Sequence, residues 1–239
     1  APDQAPSTWK VYSYNSKAAV DAIETVSVTE GSSGTSLGVL KFGGDGKLNC
    51  LQRTAYGYNR WSQSAMRQWL NSDKGVGEWW TPQNDYDRCP DQLAAKAGFL
   101  TGFDADFLEV LRPTKVVTAL NTITDATSSN SVDPLETTYD KIYLPALEQM
   151  SIEPQLAGEG TTWDYWKRAS NMTTKMKQYQ TYPQIRTFAI ENHTSPQYVR
   201  LRSANRGNSY VTWYVYSSGY VNSGGANWAH RCAPACDFC

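Results

Sequence analysis

Residues 59–72 read NRWSQSAMRQWLNS, and this stretch gives the clearest indication of the fold. Its apolar side chains recur at the three- and four-residue spacing of one helix face: Ala65, Met66, Trp69 and Leu70. Ser62 is suited to cap the N-terminus of this helix, and Asn71 and Ser72 predict its end. We therefore expect a short amphipathic helix that packs one face against a hydrophobic core.

Further short helices are predicted on the C-terminal side of this one. Asp104 is a suitable N-cap for a second helix, and residues 162–178 form a third candidate. Glu148 is expected in a turn or a brief helix. Residues 121–138 are rich in Ser, Thr and Asn, which is typical of a surface loop.

Strands are predicted where apolar and polar residues alternate: residues 9–14, 22–29, 114–120, 141–144, 198–201, 211–216 and 232–238. Ser217, Ser218 and Gly219 predict a hairpin turn. Short helices followed by a strand-rich C-terminal third predict an α+β fold. We expect a single domain over residues 1–239, with a loose arm at residues 1–10.

Composition narrows the class of protein. The chain has 22 Lys and Arg against 23 Asp and Glu, so its net charge of −1 argues against a nucleic-acid or anionic-membrane coat. Its apolar runs are too short to span a bilayer, and no signal peptide is expected. The 9 Trp and 15 Tyr far outnumber the 6 Phe, and these amphipathic aromatics suit surfaces that bind.

The five cysteines are Cys50, Cys89, Cys232, Cys236 and Cys239. The last three follow His230 with a spacing that allows a zinc or an iron–sulfur interpretation. The small apolar residues between them, and the alternation through residue 238, favour buried core cysteines in a terminal strand. We therefore expect no metal and no other cofactor. The sequence leaves undecided whether Cys50 or Cys89 forms a disulfide with one of the three C-terminal cysteines.

No motif in the sequence predicts a catalytic site. The only histidines are His193 and His230, and neither lies in a nucleophile motif; no glycine-rich cofactor loop follows a strand. Two close carboxylate pairs, Asp85 with Asp87 and Asp104 with Asp106, are more typical of helix caps and loops than of a glycosidase. We therefore expect a protein that is not an enzyme.

Residues 206–231 carry Tyr and Trp among Ser, Asn and Gly, which is the composition of an antibody paratope. Strand alternation places Tyr214 and Tyr216 on the face opposite Trp213. The alternative is an ordinary aromatic-rich sheet with Trp213 in its core. The residues expected to contact ligand are Arg206, Asn208, Tyr210, Trp213, Tyr214, Tyr216, Tyr220, Asn222, Ser223, Asn227, Trp228 and His230.

Several segments together resemble one known family. They are residues 59–72, Gly98-Phe99-Leu100, DKIYL at 140–144, Glu159-Gly160-Thr161, LRSA at 201–204, Ser217-Ser218-Gly219 and APAC at 233–236. Over about residues 50–239, the chain resembles the variable proteins of diversity-generating retroelements, a family from phages and gut microbes. The resemblance implies a C-type-lectin-like (formylglycine-generating-enzyme-like) domain, with two main helices packed on mixed and antiparallel sheets.

The same resemblance implies that residues 198–239 form a diversified ligand-binding segment. Such elements rewrite adenines in coding DNA, so adenine-rich Asn codons drift toward Tyr, Ser, Gly, His, Arg and Asp. Arg231 and Cys232 stand where relatives commonly have Gly-Val, so the variable positions are expected to extend to Arg231. Residues 222–231 contain no Asp or Glu, and a calcium site of the lectin type is therefore not expected.

The function that the resemblance implies is non-enzymatic recognition of a host or another cell. The partner would be a protein or glycan on a cell surface, and the chain would belong to a virion or a cell exterior, with homo-oligomers or virion assembly allowed. No nucleic acid and no membrane span are expected. Two alternatives stay open, a virion structural or decoration protein and a formylglycine-generating-like enzyme with a reactive cysteine among Cys232, Cys236 and Cys239.

Overall fold

The computed structural model describes residues 40–42, 48–50, 59–83, 89–122, 134–170, 174–188 and 195–238. Several sequence-based predictions fall outside these residues: the arm at 1–10, the strands at 9–14 and 22–29, the pair Asp85 and Asp87, His193 and Cys239. In the described part of the chain, no helix is long and apolar enough to cross a membrane.

The predicted first helix is present as α1, Ala65–Leu70, and a 3-10 turn, Trp61–Gln63, precedes it. Its N-cap is Ser64 and not Ser62, since the Ser64 hydroxyl accepts from the Arg67 amide at 3.1 Å. The prediction of Ser62 was wrong because its hydroxyl and amide both donate to the carboxylate of Glu136. Asn71 ends the helix, as predicted.

The other helices are also short. They are α2 (Asp91–Ala94), α3 (Ala105–Val110) and α4 (Asp164–Ser170), with 3-10 turns at Phe99–Gly102, Glu148–Met150 and Pro183–Ile185. Asp104 occupies the N-cap position of α3, as predicted, but its side chain makes no capping hydrogen bond. Glu148 opens a brief helical turn, as predicted. The helix predicted over 162–178 is too long, because Met176 is extended and bridges to Ile152.

Twelve strands occur in the described residues. They are β1 (Leu40–Phe42), β2 (Leu48–Cys50), β3 (Leu111–Arg112), β4 (Thr114–Ala119), β5 (Leu135–Asp140), β6 (Thr187–Phe188), β7 (Pro196–Gln197), β8 (Val199–Ala204), β9 (Val211–Val215), β10 (Val221–Gly225), β11 (Arg231–Cys232) and β12 (Asp237–Phe238). The largest sheet has the order β10-β9-β8-β11, with β11 parallel to β8 and the other pairs antiparallel. This mixture of short helices and several sheets is an α+β fold.

These bounds correct one loop prediction and two strand predictions. The loop predicted over 121–138 was wrong at its C-terminal end, because β5 begins at Leu135 and pairs with β4. The stretch 141–144 makes only a single bridge, between Tyr143 and Ala235. The terminal strand predicted over 232–238 is split into β11 and β12, which join different sheets. The alternation of apolar and polar residues does not identify β5, because the strand buries polar side chains that are hydrogen-bonded, those of Thr138 and Asp140.

Two hydrophobic clusters support these elements. One lies behind the large sheet and includes Met150, Met176, Leu201, Trp213 and Val221. The other packs α1 against β3, β4 and the segment at 142–144. Cys232 and Cys236 are free thiols, partly buried against this second cluster. Among the described residues, no group of three or more His, Cys, Asp or Glu side chains is placed to hold a metal ion.

A buried polar network fixes β8 to its neighbours. Arg202, only 2% exposed, donates to the carbonyl oxygens of Leu144 at 2.7 Å, Val117 at 3.0 Å and Glu159 at 2.7 Å. The Glu159 carboxylate, also buried, accepts from the Ser203 hydroxyl at 2.6 Å. Because these groups are satisfied within the protein, β8 is held firmly where it enters the candidate site.

Candidate ligand-binding face

Six ring side chains gather on one face of the large sheet and form what we call the aromatic face: Tyr198, Tyr214, Tyr216, Tyr220, Trp228 and His230. Tyr214 is at its centre, with ring centroids 4.4 Å from His230 and 5.1 Å from Tyr216. Tyr198 lies 4.5 Å from Tyr216, and Trp228 lies 6.1 Å from His230. The sheet thus brings together rings that are up to 32 positions apart in sequence, from 198 to 230.

Strand alternation decides which aromatics reach this face. Trp213 and Tyr214 are adjacent on β9 and point to opposite sides, as the sequence predicts. Trp213 is fully buried in the core cluster with Leu201 and Val221, so its prediction as a ligand contact is corrected. Tyr214 is on the aromatic face but only 1% exposed, because the surrounding rings cover it. It therefore supports the face from beneath.

Two rings of the face are well exposed. Trp228 is 53% exposed and Tyr198 is 41% exposed. Asn227 is exposed beside Trp228. The remaining predicted contacts are half-buried: Arg206, Asn208, Tyr210, Tyr216, Tyr220, Asn222, Ser223 and His230. All twelve predicted residues except Trp213 and Tyr214 therefore present at least part of their side chain to solvent.

An amide group from β10 lies among the rings. The Asn222 side-chain amide donates to the hydroxyls of Tyr214 at 3.3 Å and Tyr216 at 3.4 Å. Ser223, the next residue, pairs with Trp213 and so lies on the opposite side of the sheet, where its hydroxyl is 3.2 Å from the hydroxyl of Tyr179, whose ring packs on Trp213. Polar groups that can redirect their hydrogen bonds are therefore interleaved with large aromatic surfaces, as in paratopes.

A tight backbone approach positions Trp228. The turn after β10 folds the indole back on the strand, so a Cβ at position 224 would lie 2.6 Å from the Trp228 ring. A side chain at this position would push the indole away from the strand. At the other end of β10, Gly219 forms the predicted turn with φ +87°, a conformation that favours glycine. Glycine thus lets the indole lie against β10 at position 224, and the backbone conformation itself favours glycine at position 219.

Arg200 lies under the aromatic face, directly across the β8–β9 ladder from Tyr214. Its guanidinium donates to the hydroxyl of Thr212, to the Gly225 carbonyl at 3.0 Å and to the Trp228 carbonyl at 2.7 Å. Burial lowers the pKa of Arg200 to about 10, which leaves it charged at neutral pH. It ties β8 to the turn that carries Trp228.

His230 stays neutral on this face. Burial, together with the nearby positive charge of Arg200, lowers the pKa of its imidazole from 6.5 to about 4. Its Nε2 atom is buried without a hydrogen-bond partner. The ring therefore acts as an uncharged aromatic surface, stacked on Tyr214, at physiological pH.

We expect the stability of the protein to fall as the pH drops from about 6.5 toward 4, in part through His230. In this window the unfolded state binds a proton at this histidine and the folded state does not, so unfolding is favoured. The His230→Gln variant should show a flatter dependence of its urea midpoint on pH. An identical pH dependence in variant and wild type would contradict a neutral, buried imidazole.

Asn59 holds the loop that borders the face. Its buried side-chain amide donates to the carbonyl oxygens of Asn205 at 3.0 Å, Asn208 at 2.6 Å and Val211 at 2.8 Å. Its side-chain oxygen accepts from Asn121 at 2.9 Å. One side chain from the segment before α1 thus fixes the backbone of the 205–211 loop without using any side chain of that loop.

Replacing Asn59 with alanine is expected to cost about 2–3 kcal/mol of stability, because several buried carbonyls lose their donor. Urea unfolding measures the loss, and faster hydrogen exchange at residues 205–211 should accompany it. The matched control is Asn227→Ala, an exposed position where we expect a change within about 0.5 kcal/mol. Equal losses in the two variants would show that Asn59 does not anchor the loop.

Sequence reasoning missed three residues: Tyr198 and Arg200 at this face, and Tyr179, which packs on Trp213 at the opposite side of the sheet. Tyr198 and Arg200 precede residues 206–231, the segment with paratope-like composition, so composition did not identify them as site residues. Their signal was alternation, since residues 198, 200 and their cross-strand neighbour Tyr214 share one side of the sheet. Tyr179 belongs to a distant segment that pairs with Val221, and no local pattern predicts that contact.

Comparison with known proteins gives one match. A family model described as a domain of unknown function (DUF6273) matches residues 46–236, so the chain belongs to that family. No curated protein and no solved structure matches the chain significantly.

Proposed function

We propose that this member of the DUF6273 family is a non-enzymatic ligand- or receptor-binding protein whose C-terminal surface is diversified by a retroelement. Its role would be recognition of a host or another cell, through a protein or glycan on the cell surface. The observation that carries the proposal is the aromatic face. It combines exposed Trp228 and Tyr198 with adaptable amides and hydroxyls, on a sheet that is fixed from the opposite side.

The separation of scaffold from surface supports diversification. Arg202 and Trp213 are buried and fix the backbone of the large sheet. Asn59 lies outside the C-terminal segment and fixes the backbone of its 205–211 loop. Exposed positions such as 227 and 228 lie at the other side of that backbone. Substitutions at exposed positions away from structural contacts usually change stability by about 0.5 kcal/mol or less, so such a surface can vary while the fold persists.

A C-type-lectin-like domain is the fold that we propose for this α+β arrangement. Short helices beside several small sheets, and C-terminal strands that carry the exposed aromatics, are consistent with it. The alternative of a formylglycine-generating-like enzyme is less well supported. Burial raises the pKa of the thiols of both Cys232 and Cys236, which disfavours the reactive thiolate.

The genomic test of diversification is the coding sequence of residues 206–231. We expect a near-identical, adenine-rich template repeat close to a reverse transcriptase gene, with mismatches confined to template adenines. A locus without such a repeat would contradict diversification and leave ligand binding to be decided separately.

The binding test uses random dodecapeptides displayed on phage and selected on the immobilised chain. We expect the enriched pool to bind at least about 10-fold more weakly to a Tyr198→Ala, Trp228→Ala double variant, because exposed aromatic anchors dominate interface energies. The matched control is a Tyr139→Ala, Tyr165→Ala double variant, which removes two exposed tyrosines elsewhere on the surface. Equal binding by wild type and both double variants would contradict the proposed function.

A further inference from the structure

The charged groups nearest the aromatic face are not available to a ligand. The guanidinium of Arg200 is buried beneath the rings and already donates to three neutral acceptors. Arg231 pairs with Val199 in the β11–β8 ladder, which puts its side chain on the other side of the sheet from Tyr198. Because His230 is also uncharged at neutral pH, the face favours an uncharged ligand.

The polar tips of three rings on the face have no partner within the protein. The hydroxyls of Tyr198 and Tyr220 and the indole N–H of Trp228 make no hydrogen bond in the part of the chain that the structure describes. The indole N–H can only donate, whereas a tyrosine hydroxyl can donate or accept. The face therefore offers hydrogen-bond donors at the edges of large apolar rings.

Acceptors beside these rings are already used. The side-chain oxygen of Asn222 accepts from the Ser223 amide at 2.8 Å. The carbonyl oxygens of Gly225 and Trp228 accept from Arg200 at 3.0 and 2.7 Å. Residues 195–236 contain no Asp or Glu, so this segment supplies no carboxylate either. A ligand that brings acceptors and few donors fits this inventory best.

The two exposed rings are close enough to hold one turn of an extended peptide. The centroids of Trp228 and Tyr198 lie 6.1 and 5.8 Å from that of His230, so they are at most about 12 Å apart. Both also neighbour the buried ring of Tyr214, at 6.5 and 6.4 Å. A polyproline II helix makes one turn in three residues and rises about 9 Å in that turn, so residues i and i+3 share one side.

We propose that the aromatic face binds an uncharged, proline-rich segment of a protein partner in the polyproline II conformation, a proposal that rests on the proposed binding function. Prolines at i and i+3 pack on Tyr198 and Trp228. Proline has no N–H, and the carbonyl oxygens of a polyproline II helix make no internal hydrogen bonds. The unpaired donors of the face bind these carbonyls, as in other aromatic-lined peptide grooves.

The same inventory disfavours a neutral glycan. A sugar hydroxyl brings a donor with every acceptor, and burying that donor without a partner costs free energy. The acceptors of Asn222, Gly225 and Trp228 are occupied, so few of these donors would be satisfied. A proline-rich peptide avoids this cost and is already extended before it binds.

The experiment sequences the dodecapeptides that bind wild type but not the Tyr198→Ala, Trp228→Ala double variant. We expect proline to be enriched over the unselected library, with pairs at i and i+3. A synthetic peptide from this pool should bind at least about 10-fold more tightly than its analogue with every proline replaced by alanine, which loosens the extended conformation and removes the ring contacts.

Tyr198→Phe tests the donor by itself, because it keeps the ring and removes the hydroxyl. The proline-rich peptide should bind this variant about 3-fold or more weakly than wild type, the effect of one ordinary hydrogen bond. The matched control Tyr139→Phe removes the hydroxyl of an exposed tyrosine elsewhere and should bind like wild type. Thermal melts confirm that each variant is folded. Equal affinities of Tyr198→Phe and wild type would overturn recognition through this donor.

The other outcomes separate this proposal from the one beneath it. A face-dependent pool without proline enrichment, or alanine analogues that bind equally well, would overturn the proline-rich partner and leave the binding function standing. A selection without any face-dependent peptide would overturn both. Binding of chitohexaose that is lost in the double variant, together with no enrichment of proline, would assign the face to a glycan and overturn the peptide proposal.

Discussion

Replacing Arg202 with leucine is expected to lower the free energy of unfolding by about 3–5 kcal/mol, a large share of the roughly 5–15 kcal/mol that holds a typical domain folded. The guanidinium donates to the carbonyl oxygens of Leu144, Val117 and Glu159 and to the Gln149 side-chain oxygen at 2.5 Å. Leucine fills part of the space but donates nothing. The buried carbonyls and the Glu159 carboxylate then lose their compensation.

Urea unfolding of Arg202→Leu and of the exposed control Arg186→Leu measures this contribution. The control should change stability by no more than about 0.5 kcal/mol, since Arg186 is exposed and donates to the carbonyl of the exposed Pro183. In a Glu159→Gln background, the cost of Arg202→Leu should be smaller, because the buried negative charge is already gone. A loss below about 1 kcal/mol in the wild-type background would show that the network does not hold β8 in place.

The local signals in the sequence predicted local structure well. Helix periodicity identified α1, Asp104 marked the start of α3, and alternation identified β4 and β9. These elements depend on neighbours three or four residues away or on a single strand, so their pattern is visible in the chain. The turn at Gly219 belongs to the same class, because one residue with positive φ determines it.

The parts that sequence could not predict depend on distant partners. Asn59 anchors a loop about 150 positions away through its side-chain amide, and nothing around it in sequence indicates that role. Arg200 and Arg202 occupy alternate positions of one strand, yet they enter different networks, because the β8–β9 register shifts between Arg200 and Ala204. Alternation predicts a shared side only while the ladder is regular, and a bulge breaks that rule.

The two tryptophans of the C-terminal segment provide the sharpest distinction between scaffold and binding surface. Trp213→Ala is expected to cost about 3–5 kcal/mol, because it empties a fully buried site in the core cluster. Trp228→Ala is expected to change stability by less than about 1 kcal/mol, because more than half of its side chain is already in water. Urea unfolding of both variants tests this contrast.

Binding should show the reverse order. Trp228→Ala should weaken binding of the selected peptide pool by about 10-fold or more, as expected for an exposed aromatic anchor. Trp213→Phe retains most of the core volume, and the pool should bind it like wild type at a temperature where it is folded. If Trp213→Phe lost binding while Trp228→Ala kept it, the ligand would contact the opposite side of the sheet, and the aromatic face would be only a covering of the scaffold. Because the two residues differ in burial and not in type, this pair of variants decides whether the aromatic excess of the segment serves folding or recognition.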